Sequence, residues 1–466
     1  MILAEAAIAP SLVWVWPFAT ILLCIAVLPL IKRTEHWWHS NGNKLLVAAT
    51  LALATLAYYF LRGTGIGAHD YVTAPGTETV IAVLKHAVLD EYIPFMSLLF
   101  ALYVIAGGIF VRGDIRATPS ANTAILGIGA LLASFIGTTG ASMVLIRLLL
   151  RTNSERHRVA HTVVFFIFIV SNCGGLLLPT GDPPLFLGSL RGVPFFWTLK
   201  LWPEWLMMNA ALLAIYYIWD CVEYRRETKS DLIHDRLEIQ PIHISGTLNL
   251  LWMALVVGAA ATLDPNKAFP GTSWHAPTFL REGVYLVLVG LSLACTSKML
   301  RTANGFNYGA ILEVACLFIG IFITMQIPLE ILHARGHELG VTQPWQYFWA
   351  TGMLSSFLDN APTYVVFFEL ANTQSPNPGV GILNLVGGGH IREDLLIAVS
   401  LGAVFMGANT YIGNGPNFMV KTIAEQSGVK MPSFFGYMIF SGLVLIPLFI
   451  ILTFSFLRPA WETVRP

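Results

Sequence analysis

Charge is what this chain has least of: Asp, Glu, Lys and Arg make up 12% of its 466 residues, whereas a soluble domain carries about 25%. With so few charged groups there is too little polar surface for a water-soluble exterior. The 55% hydrophobic content and mean hydropathy of +0.67 place most of the surface in lipid. Net charge is zero and no basic run is interleaved with aromatics, which excludes nucleic acid as a partner. Cysteines number 5 and none are in C-x-x-C spacing, so a disulfide framework or zinc site is excluded, and the residues read as small buried hydrophobes. The N-terminal stretch lacks the positively charged region of a cleaved signal peptide, so the first apolar span is expected to stay as a membrane helix. Neither H-E-x-x-H nor G-x-S-x-G occurs, and no enzyme class is indicated.

Long apolar runs are present instead. A window of about 20 residues, the length that crosses ~30 Å of hydrocarbon, finds uninterrupted spans near 12–31, 43–61, 92–111, 204–221, 246–263, 281–299, 309–328 and 435–457. Four further regions are apolar but broken. The stretches 121–151 and 346–372 each divide at a polar tip into pieces too short to cross, which predicts re-entrant hairpins. The stretches 160–190 and 394–425 are long enough but are cut by Pro-Thr-Gly-Asp-Pro-Pro and Asn-Thr-Tyr-Ile-Gly-Asn-Gly-Pro, which predicts broken transmembrane helices. Such backbone is tolerated at membrane depth only under a cover of protein or around water.

The breaks come in matching pairs. Ser134–Gly140 (SFIGTTG) corresponds to Ser356–Pro362 (SFLDNAP), and Gly181–Phe186 (GDPPLF) to Gly413–Phe418 (GNGPNF). Interruptions at equivalent positions of two halves point to the substrate site of a secondary transporter built from inverted repeats. The expected fold is therefore an all-α polytopic membrane protein of two inverted repeats, each with five transmembrane helices counting one broken helix, plus a re-entrant hairpin. The first repeat covers 1–221, a cytoplasmic linker 222–245, and the second repeat 246–466. Lys and Arg agree with this order, since cytoplasmic loops should hold the excess: the groups Lys32/Arg33/Lys44, Arg112/Arg116, Arg147 to Arg158, Arg225 to Arg236, Lys298/Arg301 and Lys421/Lys430 fall on one side. Both termini are then expected outside a cytoplasmic (inner) membrane.

An interrupted helix frees carbonyls on one side and amides on the other, and these partial charges receive a cation or an anion. Thr138, Thr139, Asn360 and Thr363 at the tips, with Thr180, Asn409, Asn414 and Asn417 at the helix breaks, add neutral oxygens suited to dehydrated Na⁺. The competing account is that they only cap short helices. Asp182 and Asp359 stand out because an ionisable group inside a membrane segment is costly and marks function by default. A poorly solvated carboxylate can exchange a proton for a metal ion, so both are candidate Na⁺ ligands; helix capping is the alternative for each. Arg147 and Glu369 occupy equivalent hairpin positions with opposite sign and read as snorkelling side chains. Glu204, Asp220 and Glu313, near span ends, read as interfacially solvated, and His161 as a satisfied polar residue.

The pattern Asn172-x-Gly174-Gly175, Pro179-x-Gly181-Asp182 and Ser356-Phe357-Leu358-Asp359-Asn360-Ala361-Pro362 resembles the NhaD-type sodium/proton antiporters and the wider ion transporter superfamily, which includes arsenite pumps and citrate or dicarboxylate carriers. The resemblance implies an elevator-like carrier, commonly a homodimer, with a scaffold domain and a transport domain, and with no cofactor beyond the coupling ion Na⁺ or H⁺. The chain departs from the antiporter pattern in Pro183-Pro184 after Asp182 and in a first tip without an acid. Dicarboxylate carriers of this kind use Ser-Asn-Thr tips, approximated here only by Ser171-Asn172-Cys173. Exchange of Na⁺ or Li⁺ for H⁺ is favoured by the two aspartates. Uptake of citrate or another anion, driven by Na⁺ or H⁺, is favoured by the Thr-rich first tip. An intramembrane aspartyl protease needs G-x-G-D, where this chain has Pro179-Thr180-Gly181-Asp182.

Overall fold

The computed structural model describes residues 10–66, 73–228, 235, 239–374 and 381–457. Lys229 and Arg236 of the expected linker lie outside them. Among the described residues seven helices are long and apolar enough to cross a membrane. Two expected spans are shorter than that, the 15-residue helix Leu248–Thr262 and the 16-residue helix Leu280–Cys295.

The chain is a mostly helical polytopic membrane protein, as the apolar periodicity requires. Trp16–Val27 and Asn41–Leu61 lie beside Gly309–Thr324. There Gly320 meets Ala48 so closely that an added Cβ would sit 2.7 Å from the alanine's own, the small-residue contact that membrane helices use to approach. Lys44, buried, reaches Glu313 at 2.6 Å across the same pair. Thr77–Ala106 is one long helix with a π-helical stretch at Lys85–Tyr92. Helix Gly309–Thr324 continues into Gln326–Arg335.

Two two-stranded ladders interrupt the all-helical expectation. Phe110–Asp114 pairs antiparallel with Gln240–Ser245, so the end of the expected linker is stitched to the middle of the first half. Ile382–Asn384 pairs with His390–Arg392. Neither carried a signal, since the apolar run before Phe110 reads as helix, Gln240–Ser245 is exposed and the other two strands are three residues each.

Both hairpins are present as helix pairs with sharper tips than the sequence suggests. Pro119–Ile136 and Thr138–Thr152 are separated by Gly137 alone, at φ 81°. Pro344–Phe357 and Asn360–Thr373 are separated by Leu358 and Asp359. Pro119–Ile136, at 18 residues, is also long enough to cross, against the expectation that each arm is too short. The interrupted helices run as Ala160–Ile169, a 3₁₀ turn Cys173–Leu176 and Pro183–Leu190, then as Glu393–Met406, a 3₁₀ turn Gly407–Asn409 and Gly415–Gln426.

The core explains why broken backbone survives. Every side chain from Val163 to Val170 and from Ala398 to Ala408 is buried. The periphery is apolar and open, with Leu53, Ile218 and Leu443 at 65, 66 and 72% exposure. The interruptions therefore sit inside protein, where freed polar groups find partners, and the unbroken helices face outward.

Candidate functional site

Gly137 turns the first hairpin through a backbone conformation that side chains rarely adopt. Its tip then docks on the first broken helix: the Thr138 amide donates to the Gly181 carbonyl at 2.8 Å. Gly181 must be glycine, because a Cβ there would lie 2.2 Å from the Gly175 carbonyl oxygen. Gly413 is held in the same way against the Gly407 carbonyl oxygen at 2.5 Å. The next residues share a conformation too, Asp182 at φ −142°, ψ 139° and Asn414 at φ −152°, ψ 140°.

All four breaks meet at Asp182, which is 1% exposed. Its Oδ1 accepts from the Thr138 hydroxyl at 3.1 Å and from the Asn414 amide at 3.2 Å, and its Oδ2 from the Asn360 amide at 2.7 Å. Although Asp182 stands at the N-cap position of Pro183–Leu190, its side chain makes no capping bond. The capping account therefore fails for Asp182. Asn414 also donates to the Ser171 carbonyl and Asn172 Oδ1, and Asn172 donates to Asn417 Oδ1 at 2.7 Å. Asn417 in turn donates to the Gly407 and Thr410 carbonyls.

The remaining predicted residues surround this centre. Thr180 makes long bonds to the Ser134 and Phe135 carbonyls, tying the first break to the first hairpin. Asn409 donates to Ser356 Oγ at 2.9 Å. Thr363 donates to the Asp359 carbonyl, and Thr139 is half-buried in the first turn of its helix. Asp359 is a helix cap: its Oδ1 accepts from the Ala361 amide at 3.0 Å. Its carboxylate is not among the hydrogen-bond partners of Asp182.

Some contributors carried little signal. Ser134 and Ser356 donate to the Gly174 and Met406 carbonyls at 2.5 and 3.1 Å, and their matching positions in the two tip motifs could have exposed them. Ser142 bonds Ser171 at 2.8 Å and offers no such clue.

Four helices, beginning at Thr138, Pro183, Asn360 and Gly415, start around Asp182. Their N-termini bring partial positive charge that suits the carboxylate or an anion beside it. Asn360 Oδ1 and Asn409 Oδ1 are buried without a hydrogen-bond partner among the described residues. Such open neutral oxygens are the type that takes up Na⁺.

Four peripheral readings need correction, the first being Glu204, which is buried at 7% exposure rather than interfacial. Asp220 is fully buried rather than interfacial, paired with Arg156 at 2.6 Å and His161 at 2.9 Å. Glu369 does not snorkel: it is buried and joins Arg191 at 3.3 Å and His333 at 3.2 Å. All five cysteines are free, but only Cys173 is buried. Compared with known proteins, residues 7–457 match a family described as "Putative citrate transport". A search of curated proteins returns no match.

Proposed function

The chain belongs to this citrate-transport family, and from that premise we propose that it is a secondary transporter of citrate or a related carboxylate, coupled to Na⁺ or H⁺, with Asp182 at its binding site. The observation that carries this reading is the convergence of Thr138, Asn360 and Asn414 on one buried carboxylate. Three separate breaks supply one donor each, and four helix N-termini favour negative charge there. A cation bound beside Asp182 offsets the carboxylate and lets an anionic substrate approach the same N-termini.

The inverted-repeat arrangement, 1–221 and 246–466 about the linker 222–245, is part of the proposal. It is supported by the matched close approaches Gly175/Gly181 and Gly407/Gly413 and by the matched Ser134 and Ser356 bonds. Moving the hairpins and broken helices as one body against the outer helices gives elevator-like alternating access, in a homodimer with both termini outside the cytoplasmic membrane.

Na⁺/H⁺ exchange is the second reading. It is favoured by the side chains that bond Asp182, all neutral, with no Arg or Lys among them to receive a carboxylate. Reconstituted vesicles separate the two: labelled citrate uptake under a Na⁺ or proton gradient supports the first, and proton movement on adding Na⁺ or Li⁺ without citrate supports the second. In either case Asp182→Asn is expected to reduce the flux to that of empty vesicles while the protein still inserts. Wild-type flux in that variant removes Asp182 from the mechanism.

A further inference from the structure

Away from Asp182 the fold buries a second set of charges. Glu91 and Glu369 flank Arg191, whose guanidinium contacts both, and Glu369 Oε2 lies 3.2 Å from His333 Nε2. Side-chain exposures are 6% for Glu91, 10% for Arg191 and 7% for Glu369, while His333 keeps 24%. Glu91 sits in the π-helical stretch Lys85–Tyr92, an irregularity that tends to mark functional positions.

Hydrogen-bond chemistry fixes a proton here. His333 Nδ1 lies 2.9 Å from the Leu329 carbonyl, which can only accept, so Nδ1 carries a hydrogen. Nε2 then faces a carboxylate oxygen. The two atoms approach off the line of a hydrogen bond, and a lone pair so near a carboxylate is repulsive, so the approach favours one more proton, on the imidazole or on Glu369. With it the group of Glu91, Arg191, Glu369 and His333 is neutral. Without it these four groups sum to one negative charge in a largely buried place, which is costly. Among the described residues, titratable groups near the array include His86, linked through Gln326 to Glu91, and Tyr364, whose hydroxyl packs on Gly188. Arg335 on the His333 helix is engaged by Glu338 at 2.8 Å.

We propose that Glu91, Arg191, Glu369 and His333 form a proton-binding site distinct from the Asp182 site and mechanically joined to it. The join is two helices. Pro183–Leu190 starts at Asp182 and ends beside Arg191; Asn360–Thr373 starts with the residue that bonds Asp182 and carries Glu369. Each spans about 13 Å between site and array at 1.5 Å per residue. Binding or loss of the proton changes how strongly Arg191 and Glu369, at the far ends of both helices, are tied to Glu91 and His333 on the long flanking helices. What the proton drives rests on the transporter reading; that it binds does not.

The test counts protons on purified full-length protein by potentiometric titration between about pH 5 and 9. Glu369→Gln and His333→Gln are each expected to take up about one proton fewer than wild type, and Asp182→Asn is expected to keep that proton. In vesicles both array variants should hold citrate or Na⁺ within about threefold of wild type yet lose substrate-evoked proton movement. Folded array variants with the full wild-type proton count overturn the proposal. A wild type that moves neither citrate nor Na⁺ overturns the transport reading instead, and the proton count still decides the site.

Discussion

Gly181 sets how closely the first break can fold on itself, because the Gly175 carbonyl occupies the space where any Cβ would go. That oxygen belongs to backbone and cannot rotate away, so Gly181→Ala must push apart the turn that delivers Asp182. The expected cost is about 1–3 kcal/mol, typical of overpacking. It should appear as a lower midpoint of thermal unfolding in detergent, together with a loss of flux larger than the stability change explains. Gly290→Ala is the control: an added Cβ meets nothing within 4 Å, so midpoint and flux should stay at wild type. Asn360 is the other residue on which the site turns. Its amide satisfies Asp182 Oδ2 while its Oδ1 stays open. Asn360→Ala should leave a buried carboxylate oxygen short of one donor, at about 1–3 kcal/mol.

At the scale of elements, the second hairpin tip decides between two roles for Asp359. The geometry gives it a cap on Asn360–Thr373, and Asn caps about as well as Asp, whereas Ala costs about 0.5–2 kcal/mol. A purely capping residue predicts that Asp359→Asn transports like wild type with unchanged pH dependence, while Asp359→Ala loses stability. Measuring Na⁺ affinity across a pH series in both variants checks this. An Asp359→Asn protein with a flattened pH profile would restore the residue as a coupling acid. The sequence exposed the position of this element and of its three counterparts, because Gly, Pro and Asp inside apolar runs are readable as interruptions. It could not show which acid would be turned inward. Asp182 and Asp359 have equal claims by hydropathy, and only the packing of four breaks directs three donors at one of them. The array around Arg191 was hidden for a related reason: Glu91 lies at the start of an expected span, Glu369 near the end of an expected hairpin and His333 past the end of another expected span. Nothing in spacing joins three such distant places.

Taken as a whole, the molecule has a buried centre of interrupted helices and an apolar outer set of unbroken ones, and the proposed elevator requires the first to slide against the second. The seam where they touch is crossed by buried charge: Arg191, at the end of the helix leading from Asp182, contacts Glu91 on the long helix Thr77–Ala106. An ion pair removed from water holds well when made and is costly when one partner is stranded. A sliding motion must therefore carry Arg191 away from Glu91 or take both along. A protein lacking its five native cysteines, with Glu91→Cys and Arg191→Cys joined by a short bifunctional thiol reagent, discriminates between these. If the centre moves as a body relative to that helix, the cross-link should arrest flux while substrate binding, measured at equilibrium, persists. Each single-cysteine variant treated with the same reagent gives the baseline. Flux that continues through a fully cross-linked protein means that Thr77–Ala106 travels with Asp182, and the moving boundary then lies further out, at the contact of that helix with Asn41–Leu61 and Gly309–Thr324.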